Sequence, residues 1–313
     1  MRHYHFKSIT ACLLLAAAGS ANADIFNGTV ADYQRTRAEG RLTHLLEIDN
    51  DSLLLNKNDG FYTSGLRYTQ MHSLRIGSNI TSFGWRIGQE LYTASDIKLP
   101  PSRIAPNDHP YAGWLYGGFF KHEERADGSY VTAGVDIGCL GPCAGGEWTQ
   151  TNLHRLLNQP LPRGWGSQVK SEPGVVMYVD IAPLRWAPTA SFDITPHVDG
   201  RFGNIYTDVG AGVMLRAGRL PIWPTRSTLH GFMRADVHAV GYNATLQGGW
   251  FSRDDPHTVD PRRMVGEAEA GVVWNDGAYG ARVGIVRRSN EISDLPNAAG
   301  AQNFVRLQFS YVP

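Results

Sequence analysis

The side chains of this sequence that could do chemistry fall in three short polar clusters. The first is Asn50-Asp51-Ser52, followed by Asp59-Gly60-Phe61-Tyr62-Thr63-Ser64-Gly65. The second is Asn107-Asp108-His109-Pro110-Tyr111-Ala112-Gly113-Trp114, and the third runs from Gly141 to Trp165 with Glu147, Gln150 and His154. A neutral imidazole has a pKa near 6.5, which suits it to take a proton at neutral pH, so His154 is the candidate general base. Thr63 and Ser64 offer hydroxyls, although no Gly-x-Ser-x-Gly elbow surrounds Ser64. Each group also has a plainer role: Asn50 and Asp51 as turn residues, Thr63 as a hydroxyl satisfying backbone, His154 as a hydrogen-bonded surface imidazole. Catalysis requires that all three clusters meet.

The elements that would bring them together are strands. Segments of about ten residues alternate apolar and polar side chains between turns rich in Gly, Asn, Asp and Pro. The alternation is plainest at the end, with Val305, Leu307, Phe309 and Tyr311 on one side and Arg306, Gln308 and Ser310 on the other. About twelve such strands are expected, near 42–50, 62–72, 80–92, 111–123, 130–139, 174–187, 190–202, 207–218, 228–242, 262–275, 278–290 and 303–312. An even number with one lipid-facing and one polar side describes an all-β, antiparallel, transmembrane outer-membrane barrel. Trp85, Trp114, Trp186, Trp223, Trp250 and Trp274 lie near proposed strand ends, where interfacial aromatic girdles are expected. Loop lengths agree. Connections after even strands are short, as at Asp127-Gly128 and Asn275-Asp276-Gly277, and those after odd strands are longer, apart from 219–227 and 203–206. A soluble β-sandwich explains the alternation but not this parity. By parity all three polar clusters lie on the external rim.

The first residues set the compartment. Arg2 and Lys7, an apolar stretch from Ile9 to Ala18 and Ala21-Asn22-Ala23 describe a signal peptide over residues 1–23, leaving 24–313 as the barrel domain. Removing Arg2 and Lys7 from 29 basic residues leaves 27 against 29 acidic ones, a balance that gives no reason to expect nucleic acid. Cys139 and Cys143 could close a small disulfide or remain free thiols; two cysteines do not make a zinc site. A monomer is expected.

The third cluster has its own local structure. From Glu147 to Asn158 there is no Pro or Gly, and Trp148, Leu153, Leu156 and Leu157 recur with helical spacing. In such a helix Glu147, Gln150, Thr151 and His154 share one polar stripe.

At these residues the chain resembles the outer-membrane lipid A 3′-O-deacylases, the LpxR-like proteins. The resemblance rests on Asn50-Asp51-Ser52, the Asp59 to Gly65 run, Pro110-Tyr111-Ala112-Gly113-Trp114, Gly141-Pro142 with Gly145-Gly146-Glu147, Gln150, His154-Arg155, and Gly164-Trp165 with Gln168, in matching order between positions 48 and 172. It implies a Ca²⁺-dependent esterase in a twelve-stranded barrel that removes the 3′-linked acyloxyacyl group of lipid A in the outer leaflet. It also implies His154 as the base that deprotonates a water, with Asn50, Asp51 and Thr63 building the site. Asp51 and Asp59 are the carboxylates that could hold calcium, whose shell takes about 6–8 oxygens and so needs further donors. Glu147 could orient His154 or bind metal, and the Asn50 amide could help stabilise an oxyanion. Lipid A carries phosphates, for which Lys98, Arg103, Arg155 and Arg163 stand in the right loops.

The chain departs from the family pattern at Gly60, where a basic residue is common, at Cys139 and Cys143, and at its Tyr311-Val312-Pro313 end. None of these touches Asn50, Asp51, Thr63 or His154. Two other readings stay open: another outer-membrane esterase such as a phospholipase A, and a non-catalytic barrel or channel.

Overall fold

The computed structural model describes residues 29–51, 60–220, 227–252 and 254–313. The expected signal peptide, Asp59 and Trp223 lie outside the described residues.

Alternation becomes pleat. Strands β1 (Arg41–Asn50), β2 (Phe61–Ile76), β3 (Asn79–Thr93), β4 (Ala112–Glu124), β5 (Tyr130–Leu140) and β6 (Glu172–Ala182) follow one another as antiparallel neighbours. After the short β7 (Trp186–Thr189), the wall continues through β8 (Phe192–Gly203), β9 (Tyr206–Arg219), β10 (Thr228–Asn243), β11 (Met264–Asn275), β12 (Tyr279–Arg288) and β13 (Gln302–Tyr311). β7 pairs only with β8, while β6 pairs with β8 directly and β13 closes on β1 from His44↔Tyr311 to Asn50↔Val305. The result is a closed barrel of twelve strands, with β7 a small flap on one inward turn. Closure leaves no sheet edge among the twelve, which is what lets strands cross a bilayer. The sequence expectation of one strand over 174–187 divides here into β6 and β7, since Pro183 and Pro188 withhold ladder donors.

The two faces separate by chemistry. Outside lie Leu66, Ile87, Phe119, Ile137, Met177, Phe202, Met233, Val283 and Phe309, all exposed. Inside, arginines meet carboxylates: Arg86 with Asp136, Arg67 with Glu47, and Arg306 with both Asp49 and Glu269. Toward the external end the lumen is closed by aromatics. Tyr92 on β3 and Tyr206 on the opposite wall bring their hydroxyls to 3.1 Å, and the Tyr206 hydroxyl donates to Glu90 at 3.0 Å. Tyr62, Trp114, Tyr116 and Phe304 pack around them. Trp114, expected in an interfacial girdle, is instead part of this plug and 1% exposed, because the pleat of β4 turns it to the same side as Tyr116. Trp186 and Trp274 are exposed at strand ends, as a girdle requires, whereas Trp250 is exposed in the connection after β10 and Trp85 is half-buried in the middle of β3.

An eleven-residue helix, α1 (Thr29–Glu39), precedes β1 and packs against β2 and β3, with Tyr33 edge-on to Phe83 at 5.5 Å.

Candidate active site

Pleat also decides which rim residues can meet. Arg86 and Glu90 point into the lumen, so Gln89, Leu91 and Thr93 of β3 point outward. By the same parity Asn50 of β1 points outward beside inward Asp49, and Gly113 of β4 points outward beside inward Trp114. The pairings Asn50↔Ser64, Ser64↔Leu91 and Leu91↔Gly113 place these positions in one transverse row on the outer wall. Three strand spacings make that row about 14 Å long.

The expected helix of the third loop lies on the same outer wall. α2 (Gly146–Leu156) follows the single turn Gly141–Ala144 and packs on β3 and β4. Its close approach depends on small residues: a Cβ on Gly113 would come within 3.1 Å of the Ala144 side chain, and one on Gly146 within 2.6 Å of the Trp165 ring. Gln89 donates to the Ala144 carbonyl at 2.7 Å, and the Trp165 indole donates to Gln150 Oε1 at 2.8 Å. A disulfide joins Cys139 at the end of β5 to Cys143, Cα atoms 5.9 Å apart, so the pair left open by sequence is bonded. Gly146, Gln150 and His154 form the buried face of α2, while Trp148 and Leu156 are 73% and 81% exposed. The helix is therefore inverted relative to a water-soluble one. Gln150 and His154 face the wall, and Trp148, Leu153 and Leu156 face away from it together with Glu147 and Arg155.

His154 is buried in the last turn of α2. Its Nδ1 lies 2.6 Å from the Pro160 carbonyl oxygen. A carbonyl can only accept, so Nδ1 carries a proton, and in the neutral ring Nε2 is the acceptor nitrogen. Asp51 is buried and accepts the Gly60 N–H at 3.0 Å through Oδ2. Thr63 is buried at a β-bulge between Tyr62 and Ser64, its hydroxyl 2.7 Å from that of Thr93. Phe61, two residues before Thr63, has φ +66°, uncommon for a residue with a side chain and placed where the backbone turns Thr63 off the regular ladder.

The second cluster is a latch. Asp108 accepts from the Ser95 and His109 N–H groups and the Ser95 hydroxyl, and His257 Nε2 donates to the Asp108 carbonyl. His109 stacks on Tyr92 at 5.4 Å and its Nδ1 lies 2.6 Å from the Pro110 carbonyl oxygen. Burial lowers its pKa below the usual imidazole value, only partly opposed by that carbonyl. Backbone bonds from Arg163 to Ile97 and from Val169 to Tyr111 fasten the third loop to the second.

Of the expected site residues, Asn50, Asp51, Thr63 and His154 are thus on the rim, the last three buried. Glu147 is exposed on α2, and the contact at His154 Nδ1 is with the Pro160 carbonyl. Lys98, Arg103, Arg155 and Arg163 are all exposed, with no salt bridge among the described residues. Asp59 lies outside the described residues. Sequence reasoning missed Thr93 and Pro160. Thr93 becomes relevant only through cross-strand register, and Pro160 acts through a backbone oxygen that residue type does not advertise.

The sequence matches the family model described as outer membrane protein LpxR over residues 9–312. Among solved structures, LpxR from Salmonella typhimurium aligns with a TM-score of 0.73 at 18% identity, covering 86% of this chain and 99% of that one. An outer membrane channel from Pseudomonas putida F1 aligns with a TM-score of 0.50 at 9% identity, covering 88% and 96%. At these identities the likeness is one of fold. No curated protein sequence matches the chain.

Proposed function

Because this chain belongs to the LpxR family of bacterial outer-membrane proteins, we propose that it is a lipid A 3′-O-deacylase, hydrolysing the ester that holds the 3′-acyloxyacyl chain. The observation that carries this reading is the fixed tautomer of a buried histidine on the lipid-facing side of the wall. In the neutral ring, oriented by the Nδ1–H bond to Pro160, His154 Nε2 accepts the proton of a water attacking the ester carbonyl. The proton is then delivered to the leaving alkoxide oxygen of the sugar. The Asn50 carboxamide N–H donates to the oxyanion that develops on the carbonyl oxygen. The exposed apolar side of α2, with Trp148 and Leu156, keeps the site among acyl chains. Lys98, Arg103, Arg155 and Arg163 supply cations for the lipid A phosphates.

The donor set suits calcium. The Asp51 carboxylate and the Thr63 and Thr93 hydroxyls are hard oxygen ligands on adjoining strands, and Asp59 would add a second carboxylate. When bound, Ca²⁺ supplies positive charge opposite the developing oxyanion. Glu147 serves at most as an outer contact, given its exposure on α2.

The channel reading is disfavoured by the aromatic plug across the lumen. A phospholipase would use the same groups, so substrate decides. The test is mass spectrometry of lipid A incubated with the protein in detergent, with Ca²⁺ or EDTA, for wild type and His154→Gln. Calcium-dependent loss of the 3′-acyloxyacyl mass, absent in the variant, is expected. Cleavage of glycerophospholipid without cleavage of lipid A would overturn the substrate, and turnover undiminished in His154→Gln would overturn the base.

A further inference from the structure

Inside the barrel, below the aromatic plug, β9 carries glycines where its neighbours carry ligands. Gly210 is the cross-strand partner of Asp199 on β8 and of His238 on β10. A Cβ at Gly210 would lie 2.5 Å from His238 Nδ1 and 2.7 Å from Asp199 Oδ1, so the missing side chain leaves a cradle into which both atoms point. Both atoms are buried, and neither has a hydrogen-bond partner. The nearest approach between the two side chains is 3.6 Å, from Nδ1 to the other carboxylate oxygen. Asp208, two residues along β9, completes a set whose ligand atoms all lie within 4.8 Å of one another.

We infer that Asp199, Asp208 and His238 form a binding site for one divalent first-row transition ion on the lumen wall, with Zn²⁺ the best match. One imidazole with carboxylates suits zinc better than calcium or magnesium, which take oxygen alone. Zinc bonds of about 2.0–2.2 Å put donor atoms roughly 3.4 Å apart, so the ion would draw the three side chains inward by about an ångström.

The neighbouring ion pairs leave Asp199 available to a ligand. Arg201 is bonded to Asp208 and Arg234 to Asp236. Asp199 and its cross-strand partner Asp180 have no arginine bonded to them, although they face each other beside a cavity of about 220 Å³. Asp208 can keep its arginine and still bind metal, because a carboxylate has two oxygens and about four acceptor sites. A second set, His197, Asp199 and Asp236, shares Asp199. There His197 and Asp236 already satisfy each other at 2.6 Å, which leaves the Gly210 cradle as the site. An ion there would tie β8, β9 and β10 together through side chains, independently of any rim chemistry.

The test uses the full mature chain in detergent, titrated with Zn²⁺ against a chromogenic chelator, with heat-modifiable gel mobility as the check of folding. One Zn²⁺ per chain is expected. The affinity should fall by more than about 100-fold in Asp199→Asn and His238→Gln, beyond the loss typical of an outer-shell partner. Gly210→Ala should lose binding too, while His154→Gln and His197→Gln bind as wild type does. Zn²⁺ should also raise the unfolding temperature of wild type and not of His238→Gln. Absence of stoichiometric binding would overturn the site and leave His238 and Asp199 as a loose ion pair. Binding that survives His238→Gln, or that vanishes in His197→Gln or His154→Gln, would assign the ion elsewhere and equally overturn it.

Discussion

The placement of α2 rests on one buried hydrogen bond whose removal has a calculable consequence. Gln150 is 2% exposed, its Oε1 accepts the Trp165 indole N–H, and its Nε2 has no partner. In Trp165→Phe the ring volume largely remains, but the Gln150 amide loses its last direct bond while still buried. An orphaned buried polar group costs about 1–3 kcal/mol, whereas replacing both partners by apolar groups of similar shape is nearly neutral. The single variant should therefore destabilise the packed loop by that amount, and Trp165→Phe with Gln150→Met should recover most of it. In hydrogen exchange of residues 146–156 the single variant should lose roughly 5- to 150-fold of its protection, by the tenfold per 1.4 kcal/mol conversion, if the helix opens locally. His154, one turn on, should lose its fixed place, so turnover should fall with it. If the two substitutions are additive in a double-mutant cycle, or Trp165→Phe leaves exchange unchanged, the indole bond does not hold the helix and the reasoning fails.

Three further outcomes follow from the same geometry. Gly164→Ala puts a methyl group 2.1 Å from the Tyr111 ring and should cost about 1–3 kcal/mol by overpacking, read as a lower unfolding temperature with strand content unchanged by circular dichroism. The pKa of His109 is lowered in the folded protein, so below the unfolded value near 6.5 the unfolded latch takes up a proton that the folded one refuses; stability of residues 94–111 should fall as pH drops through 6.5, and His109→Phe should remove that pH dependence in exchange experiments. Planar bilayers should show no stable single-channel conductance from wild type, because Tyr92 and Tyr206 bridge the lumen, and stable openings would refute the plug.

How much of this was legible in the sequence divides along a physical line. Period-two alternation and turn residues fix strands locally, so the twelve barrel strands, their parity and the rim position of Asn50, Asp51, Thr63 and His154 could be read. Side choice for single aromatics could not, and Trp114 went to the lumen because its pleat, not its nearness to a strand end, decides. The helix 146–156 was legible as a helix, but sequence gave no direction for its faces. In water the Trp148 and Leu156 side would be the buried one; against a wall already apolar outside and surrounded by acyl chains, burying Gln150 and His154 with direct bonds costs less than leaving them in lipid. The inversion is thus a consequence of the solvent, and it is also what makes a site. A polar stripe that cannot face hydrocarbon must face the wall, and the wall there offers Thr63, Thr93 and Asp51 on the same rim. In the proposed reaction the His154 imidazole, buried on the outer side of the wall beneath the exposed Trp148 and Leu156 of α2, is reached from the membrane, so the expected substrate is a lipid that arrives laterally. A water-soluble ester of the same acyl chemistry should accordingly be a poor substrate in micelles, and its efficient hydrolysis would show that α2 opens to water instead of to lipid.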